Sequence, residues 1–207
     1  MKRTRVKICG LTRPQDVQAA VAEGADALGF VFYPKSPRFV DAGRAADLAL
    51  HVPPFVTIVG LFVNPEPADV ESVLAAVPVQ LLQFHGDEDP TFCEQFGRPY
   101  IKAVRMRAGV DLLHYAASFA SAQALLVDAF AEGYGGSGET FDWALIPPGL
   151  SKPLILSGGL SADNVSEAIR RIHPVAVDVS SGVESGKGIK DARRIADFIA
   201  GVRSADG

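Results

Sequence analysis

Apolar positions along the chain are gathered into short blocks separated by longer, mixed segments. Eight blocks rich in Val, Ile and Leu recur at intervals of about 20 to 30 residues. They begin at Arg5, Ala27, Val56, Val79, Tyr100, Ala124, Pro153 and Ala176. Blocks that are apolar at nearly every position are typical of strands buried on both faces, as in parallel sheets covered by helices. The pattern therefore predicts eight parallel strands.

The segments between the blocks show helical spacing. After the first block, Thr12 followed by Gln15 is a capping-box pattern, with Pro14 in the first predicted turn. A later segment predicts a helix capped by Ser161, with apolar residues three and four positions apart beyond it. The segment 111–120 has the poorest periodicity of the set.

Eight strand–helix units predict an α/β protein, a single-domain (β/α)8 TIM barrel that spans residues 1–207. The structural alternative is a doubly wound open sheet, which has fewer strands and a glycine-rich dinucleotide turn after the first one. The corresponding turn here is "CGLT", without the G-x-G-x-x-G spacing. No linker or change in composition divides the chain.

Composition narrows the classes of partner and ligand. Apolar residues make up 48% of the chain, charged residues 21%, and the net charge is −4 at pH 7. This balance disfavours a nucleic-acid surface, which needs clustered Lys and Arg. No block is long enough for a signal peptide or a membrane span. With two cysteines, we expect a cytoplasmic protein without disulfides. The four histidines lack ligand spacing, so no metal is predicted.

In barrels of this kind the active site forms where the strands end, in the loops that lead into the helices. Polar side chains at those positions are costly unless they are paired or used. The polar residues at or just after predicted strand ends include Cys9, Arg38, His85, Asp128 and Asp178. Their concentration at one end of the barrel predicts a site there.

The loops after the seventh and eighth strands have the composition of a phosphate site. Such loops often bind phosphate through backbone N–H groups and a short helix N-terminus. Gly158 and Gly159 allow close approach of the backbone to a ligand, and Ser181 and Gly182 do the same one strand later. The alternative is that small residues merely make tight turns. The predicted ligand is a phosphorylated small molecule.

The segment after the sixth strand carries four glycines between Gly133 and Gly138. A flexible loop at the mouth of a barrel favours a lid that closes over substrate. A flexible connection without such a role is the alternative, and the sequence leaves both open.

Cys9 and Asp128 are the candidate base and acid. A thiol and a carboxylate serve these roles best when the site moves both pKa values toward neutrality. We expect a nearby helix N-terminus to lower the thiol pKa and partial burial to raise that of the carboxylic acid. Composition alone favours the alternative that Cys9 is a small buried residue.

Eight motifs in order resemble the phosphoribosylanthranilate isomerase family of tryptophan biosynthesis, from about Val6 to Arg203. They are "KICGLTRPQDV", "GADALGFVFYPKSPRFV", "VGLFVN", "QLLQFHGDE", "LLVDAF", "GGSGETFDW", "LSGGLSADNV" and "AVDVSSGVESGKGIKD". The resemblance implies a (β/α)8 barrel and an Amadori rearrangement of N-(5-phospho-β-D-ribosyl)anthranilate. It also implies that neither metal nor cofactor takes part.

The resemblance implies roles for individual residues. Asp128 would be the general acid and Cys9, as thiolate, the general base. Arg38 would hold the anthranilate carboxylate, and His85 and Asp178 would lie in the pocket. Phosphate would be bound by the residues of the two small-residue loops, Gly158, Gly159, Ser181 and Gly182. The family's glycine loop commonly continues into a basic residue, where this chain has Glu139.

Two other functions remain alternatives at this point. A histidine-pathway aldose–ketose isomerase would use two aspartates and show half-barrel repeats, which are not visible here. A phosphate-ligand-binding barrel without turnover is disfavoured by the presence of both Cys9 and Asp128. The sequence does not decide between a monomer and a homodimer.

Overall fold

The computed structural model describes residues 3–129 and 140–207. Eight parallel strands close into a barrel in the order β1 to β8, which confirms the predicted fold class. The strands are β1 (Arg5–Cys9), β2 (Ala27–Val31), β3 (Thr57–Phe62), β4 (Leu81–Phe84), β5 (Tyr100–Met106), β6 (Ala124–Ala129), β7 (Leu154–Leu156) and β8 (Ala176–Val179). A two-stranded antiparallel pair, β9 (Glu184–Gly186) and β10 (Ile189–Lys190), follows the barrel.

Helices connect most of the strands on the outside of the barrel. They are α1 (Pro14–Glu23), α2 (Ala42–Ala49), α3 (Pro67–Ala76), α4 (Pro90–Glu94), α5 (Leu112–Ser118), α6 (Val165–Ile172) and α7 (Ala192–Asp206). Where the described chain resumes before β7, its regular element is a 3-10 helix, Trp143–Leu145, and not an α-helix. The Gly133–Gly138 segment and Glu139 lie outside the described residues. None of the described helices is long and apolar enough to span a membrane.

The predicted cap of the first helix was wrong. Helix α1 begins at Pro14 and its N-cap is Arg13, whose side chain makes no capping hydrogen bond. The Thr12 hydroxyl instead donates to the carbonyl of Gly188, over 2.7 Å. Thr12 therefore joins the first strand–helix loop to the β9–β10 turn instead of capping a helix.

The predicted cap of α6 was also wrong. The helix begins at Val165 with Asn164 as N-cap, because a tight turn intervenes after Ser161. In that turn the Asn164 Oδ1 accepts a hydrogen bond from the Ser161 backbone N–H at 2.9 Å. The weakly periodic segment does form α5, where the Asp111 carboxylate caps the helix by accepting from two backbone N–H groups.

Alternation along β1 decides which of its side chains enter the barrel. Val6 and Ile8 belong to the large apolar core between strands and helices. Cys9 belongs to a separate interior cluster near the C-terminal end of the strands. Because successive strand residues point to opposite faces, Lys7 also points inward. Lys7 is paired in register with Asp178 of β8 where the barrel closes.

Candidate active site

One cavity opens at the C-terminal end of the barrel strands, where the sequence predicted it. Its lining includes eight of the nine predicted site residues: Cys9, Arg38, His85, Asp128, Gly158, Gly159, Asp178 and Ser181. Gly182 does not line the cavity and lies just behind it. Residues from β1, β4, β6 and β8 and from the loops after β2 and β7 thus meet in one place.

Cys9 ends β1 and is 5% exposed. Its sulfur occupies space left by Gly29 of β2, where an added Cβ would lie 2.8 Å from the Cys9 Sγ. Burial raises the pKa of the Cys9 thiol above its ordinary value, while the positive charge of Lys7 acts in the opposite direction. The expected lowering by a helix N-terminus was therefore wrong, because desolvation by burial is the largest influence on this thiol.

Lys7 and Asp178 form a buried ion pair below Cys9. The Lys7 Nζ lies 2.9 Å from the Asp178 Oδ1, and the two side chains are 5% and 6% exposed. Burial opposes the charged lysine, but Asp178 and Cys9 together hold the Lys7 pKa above its ordinary value. The pair therefore places a charged ammonium group in the barrel interior.

Asp128 and His85 face each other across the ends of β6 and β4. The His85 Nε2 lies 3.1 Å from the Asp128 Oδ2, close but not aligned as a hydrogen bond. The Gln83 Nε2 lies 3.1 Å from the His85 Nδ1. The Gln83 amide thus holds the His85 ring at its Nδ1, and the Nε2 edge of the ring faces Asp128.

Arg38 is held by a carboxylate that the sequence did not indicate. The Arg38 Nε and Nη2 donate to the two carboxylate oxygens of Glu184 over 2.7 and 2.8 Å. The Lys190 Nζ donates to the same carboxylate over 2.8 Å. Burial works against the Glu184 charge, but its hydrogen bonds to Arg38 and Lys190 bring its pKa below the ordinary value. Gly10 permits the arrangement, since a Cβ there would lie 2.5 Å from the Arg38 Cδ.

The two phosphate-type loops are fitted closely to their surroundings. Gly158 has a φ of +84°, and an added Cβ would lie 2.4 Å from the backbone nitrogen of Ala129. A Cβ on Gly182 would lie 1.9 Å from the carbonyl oxygen of Leu160. Gly182 therefore lets the loop after β8 pack directly on the loop after β7. The Lys190 Nζ also donates to the backbone carbonyl of Ser180, over 3.0 Å.

Lys7, Glu184 and Lys190 are site residues that the sequence analysis missed. A lysine inside an apolar strand was the available signal for Lys7, because lysine is almost never fully buried without a partner. Glu184 and Lys190 lie in the chain after the last barrel strand, and no periodic pattern marks them. Among the described residues, no group of three or more His, Cys, Asp or Glu side chains is placed to hold a metal ion.

Comparison with known proteins gives concordant matches over nearly the whole chain. Residues 6–201 match the family described as N-(5'phosphoribosyl)anthranilate (PRA) isomerase. The N-(5'-phosphoribosyl)anthranilate isomerase of Dechloromonas aromatica (strain RCB) is 62% identical over 204 residues, covering 99% of this chain and 98% of that protein.

Two solved structures share the fold closely. One shows mutually generated monomers of the dimeric phosphoribosylanthranilate isomerase of Thermotoga maritima, at 38% identity and a TM-score of 0.86. The other shows a phosphoribosyl anthranilate isomerase in complex with reduced 1-(o-carboxyphenylamino)-1-deoxyribulose 5-phosphate, at 39% identity and a TM-score of 0.85. Each match covers 97% of this chain and 99% of the other.

Proposed function

The chain belongs to the N-(5'-phosphoribosyl)anthranilate isomerase family, and on that premise we propose that Cys9 and Asp128 are the base and acid of its reaction. The reaction is the Amadori rearrangement of N-(5-phospho-β-D-ribosyl)anthranilate. Its product is 1-(2-carboxyphenylamino)-1-deoxy-D-ribulose 5-phosphate, an intermediate of tryptophan biosynthesis. The enzyme is thus an intramolecular aldose–ketose isomerase.

The first step opens the sugar ring. Asp128 in its acid form gives its proton to the furanose oxygen while the bond between C1 and that oxygen breaks. The lone pair of the anthranilate nitrogen forms the C1–N double bond, which leaves a protonated Schiff base. The placement of Asp128 in the cavity lining, with the His85 Nε2 3.1 Å from its Oδ2, supports this role.

The second step moves a proton from carbon. Cys9 as thiolate removes the proton from C2, and the electron pair of that C–H bond forms the C1–C2 double bond of an enolamine. Electrons flow to the iminium nitrogen, which becomes neutral. The enolamine then tautomerises to the ketone. The position of Cys9 at the end of β1, in the same cavity as Asp128, supports this assignment.

Recognition of the substrate is assigned to the remaining lining residues. Arg38 has five N–H donors and Glu184 uses two of them, so donors remain for the anthranilate carboxylate. Gly158, Gly159 and Ser181 are proposed for the phosphate, and Gly182, which does not line the cavity, would serve that site by letting the loop after β8 pack on the loop after β7. His85 and Asp178 complete the pocket between these two anchors.

The observation that carries the proposal is the joint placement of Cys9, Asp128 and both small-residue loops around one cavity. The matching experiment follows loss of the fluorescent substrate in the purified enzyme. We expect Cys9→Ser and Asp128→Asn each to lower kcat by about 100-fold or more, as expected when a positioned acid or base is removed. Added EDTA should leave the rate unchanged, because no metal step is proposed.

Matched variants separate these roles from general damage. Cys93→Ala removes a buried cysteine of the main core, and Asp47→Asn neutralises an exposed carboxylate of α2. Both should keep the wild-type kcat. Full activity in Cys9→Ser would overturn the role of the thiol. Binding of substrate without turnover in the wild-type protein would show a binding barrel instead of an enzyme.

The remaining assignments concern the whole protein. We propose that residues 1–207 make up this one domain and that the protein acts in the cytoplasm as a monomer or homodimer. The two cysteines are unpaired, in keeping with a reducing compartment. Small-molecule substrate is the proposed partner, with no nucleic acid and no membrane. Size-exclusion chromatography with light scattering distinguishes the monomer from the homodimer.

A further inference from the structure

We propose that Lys7 is a positioning residue for the reaction: its ammonium group stabilises the thiolate form of Cys9, and Asp178 holds that group in place. The inference rests on the proposed role of Cys9 as the base. It assigns a function to a charged side chain in the barrel interior, below the residues that line the cavity.

The geometry of β1 places the two side chains together. Lys7 and Cys9 are two positions apart on one strand, so both point into the barrel. The Lys7 Nζ donates to the Asp178 Oδ1 over 2.9 Å. Its ammonium group thus lies against the carboxylate of the neighbouring strand, on the inward face of β1 that also carries the Cys9 thiol.

Gly29 provides the space in which the two side chains meet. It is paired in register with Cys9 on the adjacent strand. A Cβ at this position would lie 2.8 Å from the Cys9 Sγ and 3.1 Å from the Lys7 Cε. Both atoms therefore border the same small volume, which a larger residue would fill.

Asp178 fixes the direction of the Lys7 ammonium group. A buried lysine without a partner lowers its pKa and loses its proton, since burial penalises the charged form. The 2.9 Å contact to the Asp178 Oδ1 keeps Lys7 charged. A permanent cation beside the thiol lowers the free energy of the thiolate relative to a site without it.

The other cations near Cys9 are already paired with a carboxylate of their own, Glu184. Lys190 and Arg38 act on Cys9 through space only, and both donate to the carboxylate of Glu184. Asp178 works against the thiolate, and His85 and Asp128 lie across the cavity. Lys7 is the cation that borders the same small volume beside Gly29 as the Cys9 sulfur, and its charge opposes the effect of burial on the thiol pKa.

A purely structural role for the ion pair predicts different behaviour. Lys7→Met leaves Asp178 buried without its cation, which by itself can disturb the fold. The double variant Lys7→Met/Asp178→Asn removes both charges and restores electrical balance. If the pair only stabilises the barrel, the double variant keeps the wild-type pH dependence of Cys9 alkylation. If Lys7 serves Cys9, the double variant folds but its alkylation profile is shifted to higher pH.

The decisive measurement needs no turnover. The alkylation rate of Cys9 by iodoacetamide is followed against pH in the free enzyme, with the modified peptide identified by mass spectrometry. Cys93 does not interfere, since burial raises its pKa to about 12. We expect Lys7→Met to move the midpoint of the profile upward by about one pH unit or more, a tenfold smaller thiolate fraction. Lys7→Arg, which keeps the charge, should stay near the wild type.

Kinetics supply the second measurement. Lys7→Met and the double variant should lower kcat at pH 7 by about tenfold or more, with a smaller change in KM and partial recovery at higher pH. An alkylation profile unchanged in Lys7→Met and in the double variant would overturn the inference. Recovery of wild-type kcat in the double variant would do the same.

A failure of the proposed function looks different. Full activity of Cys9→Ser would remove Cys9 as the base, yet the alkylation profile would still report on Lys7 and its thiol. In the Cys9→Ser background, adding Lys7→Met should cause little further loss of kcat, because the two residues act as a unit. An additive loss would contradict a role exerted through Cys9.

Discussion

Arg38 and Glu184 face each other in a two-point ion pair, with Nε and Nη2 of the guanidinium 2.7 and 2.8 Å from the carboxylate oxygens. Paired contacts of this kind fix the plane of the guanidinium as well as its position. Arg38 follows the second barrel strand, whereas Glu184 begins β9 beyond the last one. The orientation of the proposed carboxylate-binding group is therefore set by a distant part of the chain.

The first prediction concerns this pair. Glu184→Gln keeps the shape but loses the charge, so Arg38 becomes less well oriented toward substrate. We expect KM to rise by about tenfold, with a smaller change in kcat, because uniform binding is lost. Steady-state kinetics measure this. Glu71→Gln changes an exposed glutamate of α3 and is the control; it should alter neither KM nor kcat. A wild-type KM in Glu184→Gln would contradict the role of Glu184 in orienting Arg38.

The second prediction follows from the lowered pKa of Glu184. Its hydrogen bonds to Arg38 and Lys190 bring the folded-state pKa below the ordinary 4.5. A depressed carboxyl pKa stabilises the fold above the unfolded-state value, and this contribution disappears as pH falls through the folded-state value. The difference in unfolding free energy between wild type and Glu184→Gln should thus be full above pH 4.5 and shrink below it. Urea unfolding across pH 3 to 7 checks this, and a constant difference would be evidence against it.

The third prediction concerns the loop after β7. A Cβ on Gly158 would lie 2.4 Å from the Ala129 nitrogen and 3.0 Å from the Asp128 Oδ1. We expect Gly158→Ala to lower kcat by about tenfold or more, since small displacements of catalytic groups are costly. Gly149→Ala is the matched control, with a φ of +77° but open space around it. Gly149→Ala carries the same backbone strain of about 1–3 kcal/mol but no steric overlap, so it should keep the wild-type kcat. Equal losses of kcat in Gly158→Ala and Gly149→Ala would refute the explanation.

The fourth prediction concerns a buried ion pair beneath the loop that follows His85. The Lys102 Nζ lies 2.6 Å from the Glu88 Oε2 and donates to the Gly86 carbonyl, and both side chains are 2% exposed. Lys102→Met leaves a buried carboxylate without its cation, which costs about 3–5 kcal/mol. Urea unfolding measures this loss.

An exposed pair provides the comparison for Lys102→Met. Asp87, whose side chain is 68% exposed, pairs with Arg105 at 2.7 Å. We expect Asp87→Asn to cost less than about 1 kcal/mol, because water screens the charges. Similar losses in both variants would mean that burial does not set the strength of these pairs.

The strands were predictable because a strand that is buried on both faces is apolar at nearly every position. All eight predicted strands form, and the polar residues at their ends reach a common cavity. The parallel strands of a barrel all end at the same side, so polar residues at their C-terminal ends come together. Cys9 and Asp128 line the same cavity for that reason, although they lie far apart along the chain.

The local details were less predictable because tertiary contacts compete for the same polar groups. Thr12 has the right spacing for a cap but donates to the Gly188 carbonyl. The partners of the charged site residues were not predictable either, because nothing in the sequence links Arg38 to Glu184 or Lys7 to Asp178. Long-range pairs of this kind depend on how the barrel closes, which periodicity does not encode.

The ion pair between Arg38 and Glu184 joins residues 146 positions apart in the sequence. This separation affects the order in which the binding site forms during synthesis. During synthesis, Arg38 is added to the chain long before Glu184, the carboxylate that orients its guanidinium group. The chain can then bind substrate well only after the segment that follows β8 has been synthesised and has packed against the barrel. We expect a chain that ends before Glu184 to bind substrate weakly, although it contains all eight barrel strands.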